Sequence, residues 1–258
     1  MLTVDVWAWL FLAALALIIG VSKTSIAGLA ALAVAGFAVV LPAKESTAAV
    51  LFLLITGDIV AVAIYHHAAD WALLKKLLPS VVPGIVIGTV FMRFVSDQVL
   101  VICVAASLFI AVGLQIGLRV RESHGVGGAE PPGTPTPEAR WPAISAGVAA
   151  GFTTMVANAA GAVMSLYLLA VKADKVRFVA TGAWFFFLVN VTKVPFSIGL
   201  GLVHVHTLVL LATLIPAVLV GTWLGRRFLK LLNQHVFEWA TIASSALSAV
   251  ILLLKGVL

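Results

Sequence analysis

The chain has 258 residues, 62% of them hydrophobic and only 10% charged, with a formal net charge of +6. A soluble domain carries about a quarter of its residues as charges, so this composition excludes one and indicates an integral membrane protein. The basic surplus, which would suggest nucleic acid in a soluble protein, sits at the ends of apolar segments and reads as membrane topology instead, so nucleic acid is not an expected partner.

Ten apolar segments run along the chain, at 4–20, 26–41, 46–66, 73–92, 97–118, 141–157, 159–172, 176–199, 206–226 and 235–255. They are continuously apolar and do not alternate, which predicts spanning helices and not a barrel. The first, within MLTVDVWAWLFLAALALIIG, has no basic n-region and reads as a retained helix, with no cleaved signal. The second and seventh are short, at 16 and 14 residues against the roughly 18–20 a spanning helix needs. The fifth holds Cys103, the one cysteine, which excludes an intrachain disulfide and reads as a buried structural thiol. The tryptophans Trp7, Trp9, Trp71, Trp141 and Trp239 lie near segment ends, as an aromatic belt would.

A polar insert, RVRESHGVGGAEPPGTPTPEAR at 119–140, has the Pro, Gly and Thr content of a flexible exposed loop. It divides the chain into a first membrane repeat, 1–118, and a second, 141–258. PSVVPGIVIGTVFMRFVSDQVL from Pro79 aligns without a gap on PAVLVGTWLGRRFLKLLNQHVF from Pro216. The match superimposes Gly84 on Gly221, Gly88 on Gly225, Phe91 on Phe228 and Arg93 on Lys230. Glycine-rich stretches around Gly28 and Gly161 also correspond, and TGDIV (Thr56 to Val60) falls opposite NVTKV (Asn190 to Val194).

If all ten segments change sides, one side receives twelve of the basic residues (Lys23, Lys75, Lys76, Arg119, Arg121, Arg140, Lys172, Lys175, Arg177, Arg226, Arg227 and Lys230). The other receives Lys44, Arg93 and Lys255 only. The basic side is predicted to be cytoplasmic, with the N-terminus outside and the 119–140 loop inside. Five segments per half is an odd number, so the halves are expected to be inverted, an architecture common in secondary transporters. Because the second and seventh segments are short, the first two segments of each half are alternatively a hairpin that dips in and returns to the same side. The expected fold is therefore an all-α integral membrane protein of two inverted repeats.

Two polar clusters carry candidate chemistry. In GVSKTSIAG, Ser22, Lys23, Thr24 and Ser25 lie between apolar runs. One reading is a surface turn, with Lys23 obeying the basic bias and Ser25 capping a helix. The other is a helix break at depth, whose free amides, hydroxyls and ammonium would bind an oxyanion. The matching stretch GFTTMVANAAG supplies Thr153, Thr154 and Asn158, and the two breaks are expected to meet near the midplane as one anion site. In FFFLVNVTKVPF, Lys193 lies deep in an apolar segment, where an ammonium costs roughly 2.5–3.5 kcal/mol. It either pairs with Asp58, tying the repeats together, or serves a substrate anion beside Asn190, with Asp58 taking a proton. Thr56 and Thr192 could complete the lining.

The pairs His66–His67 and His204–His206 read as interfacial histidines, since no further ligands complete a metal site. No metal or cofactor motif is present. Neither HExxH, a GxSxG elbow nor paired intramembrane carboxylates occur, which argues against an intramembrane enzyme.

GVSKTSIAGLAALAVAGFAVVLPAKESTAAVLFLLITGDIVAVAIYHH and its counterpart, from GFTTMVANAAGAVMSLYLLA through KVRFVATGAWFFFLVNVTKVPF, resemble the TauE/SafE family of anion permeases over nearly the whole chain outside the loop. Many members carry a run of glycines where this chain has SIAG and NAAG. The resemblance implies movement of sulfite, organosulfonates or other small organic anions across the bacterial inner membrane, coupled to protons. The partners it implies are a small anion and the lipid bilayer, with at most a second copy of the chain; a channel is the competing class.

Overall fold

The computed structural model describes residues 5–26, 29–41, 43–96, 98, 99, 102, 106, 113, 140–158, 160–171 and 173–257. Most of the fifth apolar segment with Cys103, the insert at 119–139, and Gly28 lie outside them. Among the described residues all regular structure is helical: α1 (Val6–Thr24), α2 (Leu29–Val40), α3 (Ala43–Tyr65), α4 (Trp71–Phe94), α5 (Arg140–Ala157), α6 (Ala160–Ala170), α7 (Lys175–Gly199), α8 (Val205–Leu231) and α9 (Gln234–Val257), with a short 3-10 turn at His66–Ala68. Five of the described helices are long and apolar enough to cross a membrane.

The short helices explain the short segments. With 12 and 11 residues, α2 and α6 are about 16–18 Å long, too short for a hydrocarbon core of about 30 Å. After the break at Ser25 the chain doubles back. Gly36 of α2 lies against Leu15 of α1, where an added Cβ would be 2.6 Å from Leu15 Cδ1. The pair α5–α6 packs likewise around Asn158, which holds φ +53°. Asparagine tolerates this left-handed conformation better than other non-glycine residues, and here it ends α5 as a glycine often ends a helix.

Contacts at helix ends fix the direction of the long helices. Lys44 Nζ donates to the Val95 carbonyl at the end of α4 (2.6 Å), and His204 Nε2, just before α8, lies 3.7 Å from Glu45. At the far end of α8, Lys175 Nζ donates to the Leu232 carbonyl, and Arg177 pairs with Asp70. The 27 residues of α8 hold these two ends about 40 Å apart. Helix α3 thus starts where α7 finishes, and the two run antiparallel. The contacts come in matching sets. A lysine opening the third helix of each half caps the end of its fourth, and just beyond those ends the Val99 amide donates to Ser96 Oγ (3.4 Å) and the Val236 amide to Asn233 Oδ1 (2.8 Å).

Glycines set the tightest crossings. Gly20 of α1 faces Gly221 of α8, and Gly84 of α4 faces Gly151 of α5; a Cβ on Gly221 or Gly151 would stand 3.0 Å from the partner glycine's Cα. Without side chains the backbones approach closely, the common device of apolar helix pairs in membranes. The first helix of each half therefore lies on the fourth helix of the other. The core follows suit. One cluster joins Leu12, Ile19, Phe37 and Leu53 to Leu214 of α8, and another joins Leu77 and Ile85 of α4 to Met155, Met164 and Phe185. Outward faces stay apolar, with Val82, Val86 and Ile87 on α4 and the aligned Leu219, Trp223 and Leu224 on α8 all exposed, as contact with lipid demands. Trp7, Trp71 and Trp239 are exposed near helix starts.

The end carrying Lys75, Lys76, Lys175, Arg177, Arg226, Arg227 and Lys230 is the basic one. There Asp70 caps α4 by accepting from the Leu73 amide (3.0 Å) and also accepts from Arg177. Partial burial pushes the Asp70 carboxyl up, but the Arg177 guanidinium and the cap amide outweigh it and hold the group below the usual carboxylate range. A depressed value means stabilisation that is full at neutral pH and disappears only as pH falls through it. Asp70→Asn, which keeps the cap, should lower the melting temperature by about 2–4 °C. That difference should stay constant from pH 8 to 5 and close below about pH 4, the ordinary range of aspartate. Closure already between pH 7 and 6 would refute this assignment.

Candidate functional site

Three lysine or carboxylate side chains are buried among the described residues: Lys23, Asp58 and Lys193. They come from α1, α3 and α7 and form part of one polar core. Lys23 Nζ lies 2.7 Å from Asp58 Oδ1, with the two side chains 7% and 0% exposed. Asn190 Nδ2 donates to Asp58 Oδ2 at 2.7 Å. One turn on, Lys193 donates to Thr154 Oγ1 (3.2 Å) and to Asn158 Oδ1. Asn158 Nδ2 in turn donates to the Thr47 carbonyl at 2.8 Å, linking the break in the second half to α3 of the first.

Helix periodicity explains the chain of contacts. Asn190 and Lys193 are three residues apart on α7, so their side chains emerge on one face. The left-handed turn at Asn158 aims its amide away from α5 and lets both ends of that amide be used. Gly57, preceding Asp58, leaves space for the lysine stem: a Cβ there would be 2.8 Å from Lys23 Cγ. The Lys23 ammonium also sits 4.7 Å from the centre of the Phe186 ring, whose face attracts a cation.

Several expectations change. Lys23 is not at a surface, because α1 continues to Thr24 and carries it inside. Asp58 pairs with Lys23 and not with Lys193. Among the described residues no carboxylate pairs with Lys193; both of its partners are neutral. Ser25 does not cap a following helix: its hydroxyl donates back to the Val21 carbonyl (2.6 Å). Thr24 Oγ1 donates to the Thr222 carbonyl (2.9 Å) and so holds α1 on α8, while Thr153 donates to the Ala149 carbonyl (2.8 Å) of its own helix. Thr56 and Thr192 do the same within theirs. Ser22 is buried one residue before Lys23.

The two breaks contact opposite ends of α3. Thr24, at the first, accepts at its carbonyl from Tyr65 at the end of α3 (3.2 Å), whereas Asn158, at the second, reaches Thr47 near the start of α3. The connection runs between them, through Lys23, Asp58, Asn190 and Lys193. Phe186, Gly57, Tyr65 and the Thr47 carbonyl escape sequence reasoning. Only the small residue before a buried aspartate offered a signal, and it was a weak one.

Chemically the core offers a closed ion pair, a second ammonium held by neutral groups, and no paired carboxylates for acid–base work. Searches among curated proteins and among solved structures give no match. The family model described as sulfite exporter TauE/SafE matches residues 12–252, nearly the whole chain. The protein therefore belongs to the TauE/SafE family, multi-pass membrane transporters of the sulfite-exporter type.

Proposed function

We propose that the protein carries a small oxyanion, sulfite or an organosulfonate, across the bacterial inner membrane, with the anion bound at Lys193. The observation that carries this reading is the burial of Lys193, 1% exposed, with only Thr154 and Asn158 as partners. An ammonium at membrane depth is costly, and a bound anion supplies the countercharge that the described residues do not. Asn158 and Thr154 orient the lysine at the α5–α6 break, where an anion would also meet the exposed amides at the start of α6. Asp58 is the carboxylate that would accept a coupling proton, releasing Lys23 as it does so.

The proposed cycle is alternating access by two inverted repeats. The antiparallel course of α3 and α7, the matched end contacts and the exchanged first helices support that architecture. The two hairpins would be re-entrant, and the basic end cytoplasmic by the positive-inside rule. Purified protein in proteoliposomes tests the reading. Saturable, pH-gradient-dependent flux of sulfite or a sulfonate is expected, with sulfoacetate, taurine, thiosulfate and simple carboxylates tested alongside. Flux that never saturates and ignores the pH gradient would indicate a channel instead.

A further inference from the structure

We infer that Asp58, while ionised, sets the valence of the anion bound at Lys193, restricting the site in that state to monoanions. This rests on the reading of Lys193 as the anion site. The buried core of described residues holds two lysines and one aspartate; with all three ionised they sum to one net positive charge. That charge belongs to Lys193. Lys23 is committed to Asp58 at 2.7 Å, and the second oxygen of Asp58 is committed to Asn190, one turn from Lys193. The stem of Lys23 lies against Gly57 on the same helix as Asp58, which keeps the pair closed.

A monoanion at Lys193 brings the core to neutrality. A dianion leaves one buried negative charge in excess, facing the Asp58 carboxylate through Asn190, with no further cation among the buried described residues. In a medium of low dielectric that imbalance outweighs modest differences in shape or hydrogen bonding. Removing the Asp58 charge frees Lys23, and the core then presents two positive charges, which suits a dianion. Asp58 is thus a specificity-determining residue that acts through Lys23 without itself touching the anion.

Methanesulfonate and sulfate test this directly. Both are tetrahedral and similar in size, and near neutral pH one is a monoanion and the other a dianion. Equilibrium binding to the purified full-length protein at pH 7.5 should favour methanesulfonate. Asp58→Asn should shift the affinity ratio toward sulfate by about tenfold or more. The double variant Lys23→Gln/Asp58→Asn restores one net positive charge and should restore the original ratio, whereas Lys23→Gln alone should lose methanesulfonate binding. If Asp58→Asn does not fold, the last two variants decide between them. An unchanged ratio in Asp58→Asn, or equal binding by Lys23→Gln and the double variant, overturns the inference while leaving the anion site in place. Binding that survives Lys193→Gln, or the absence of any binding, overturns both.

Discussion

Lys193→Gln is expected to abolish saturable anion flux and to weaken anion binding by at least about a hundredfold, while the protein still purifies as a folded, monodisperse species. Losing a charge-assisted contact to a desolvated anion costs several kcal/mol when the anion has no other full charge to meet. Lys23 cannot substitute, since Asp58 holds it at 2.7 Å. Glutamine is one atom shorter but keeps a flexible stem and an N–H donor to offer Thr154 or Asn158, so the fold should tolerate it. Removing a buried charge whose partners are neutral should even raise the melting temperature slightly, because those partners can hydrogen-bond to a neutral amide. Flux and thermal stability are therefore expected to move in opposite directions. A variant that loses both together would mark Lys193 as a structural residue, and one that retains flux would remove it from the site.

Gly221→Leu should destabilise the protein so far that no folded material is recovered from the membrane. A Cβ at this position runs into the Leu17 carbonyl and stands 3.0 Å from Gly20 Cα. Both obstacles are backbone, so the only relief is to part α1 from α8. Parting them breaks the bond from Thr24 to the Thr222 carbonyl and draws Lys23 away from Asp58. Gly221→Ala is the graded version. Overpacking of this kind typically costs about 1–3 kcal/mol, or about 2–12 °C in melting temperature for a chain of this size. Gly182→Ala is the control, since a Cβ there meets nothing closer than Phe186 at 3.7 Å. It should leave the melting temperature unchanged or raise it slightly. Equal loss in the two alanine variants would show that the cost reflects helix glycines in general and not this crossing.

Much of the fold was legible because its signals are local. Continuous apolar runs marked the helices to within a few residues, and the short second and seventh segments became helices too short to span. The Pro79 and Pro216 stretches could be aligned because proline and glycine are constrained by backbone geometry, and Gly84 of α4 and Gly221 of α8 each face a glycine of another helix. The candidate site was legible only in part. A lysine in an apolar segment announces burial, as Lys193 did, but its partner is chosen by how helices rotate against one another. Lys23 and Asp58 lie on different helices, so nothing in their spacing distinguishes that pair from Asp58 with Lys193. Hydroxyls misled for a related reason. Thr153 and Ser25 satisfy themselves on the carbonyl four residues back, a bond any helical threonine or serine can make without serving a ligand. Lys23 was further obscured because a basic residue at the end of an apolar run obeys the topology rule equally well whether it is exposed or buried.

The exchange of first helices has a consequence for what each half could be alone. A chain ending before the 119–140 insert would keep the glycine-lined face of α4 but lack α5 to cover it, and would keep α1 but lack α8. Its Asp58 would lose Asn190, and its Lys23 would lose the ring of Phe186. Such a half-length polypeptide would need a partner to supply the missing α5 and α8 faces. The covalent link through the insert removes that requirement. It delivers both halves in equal number and in one molecule, with Lys23 beside one break and Asn158 at the other.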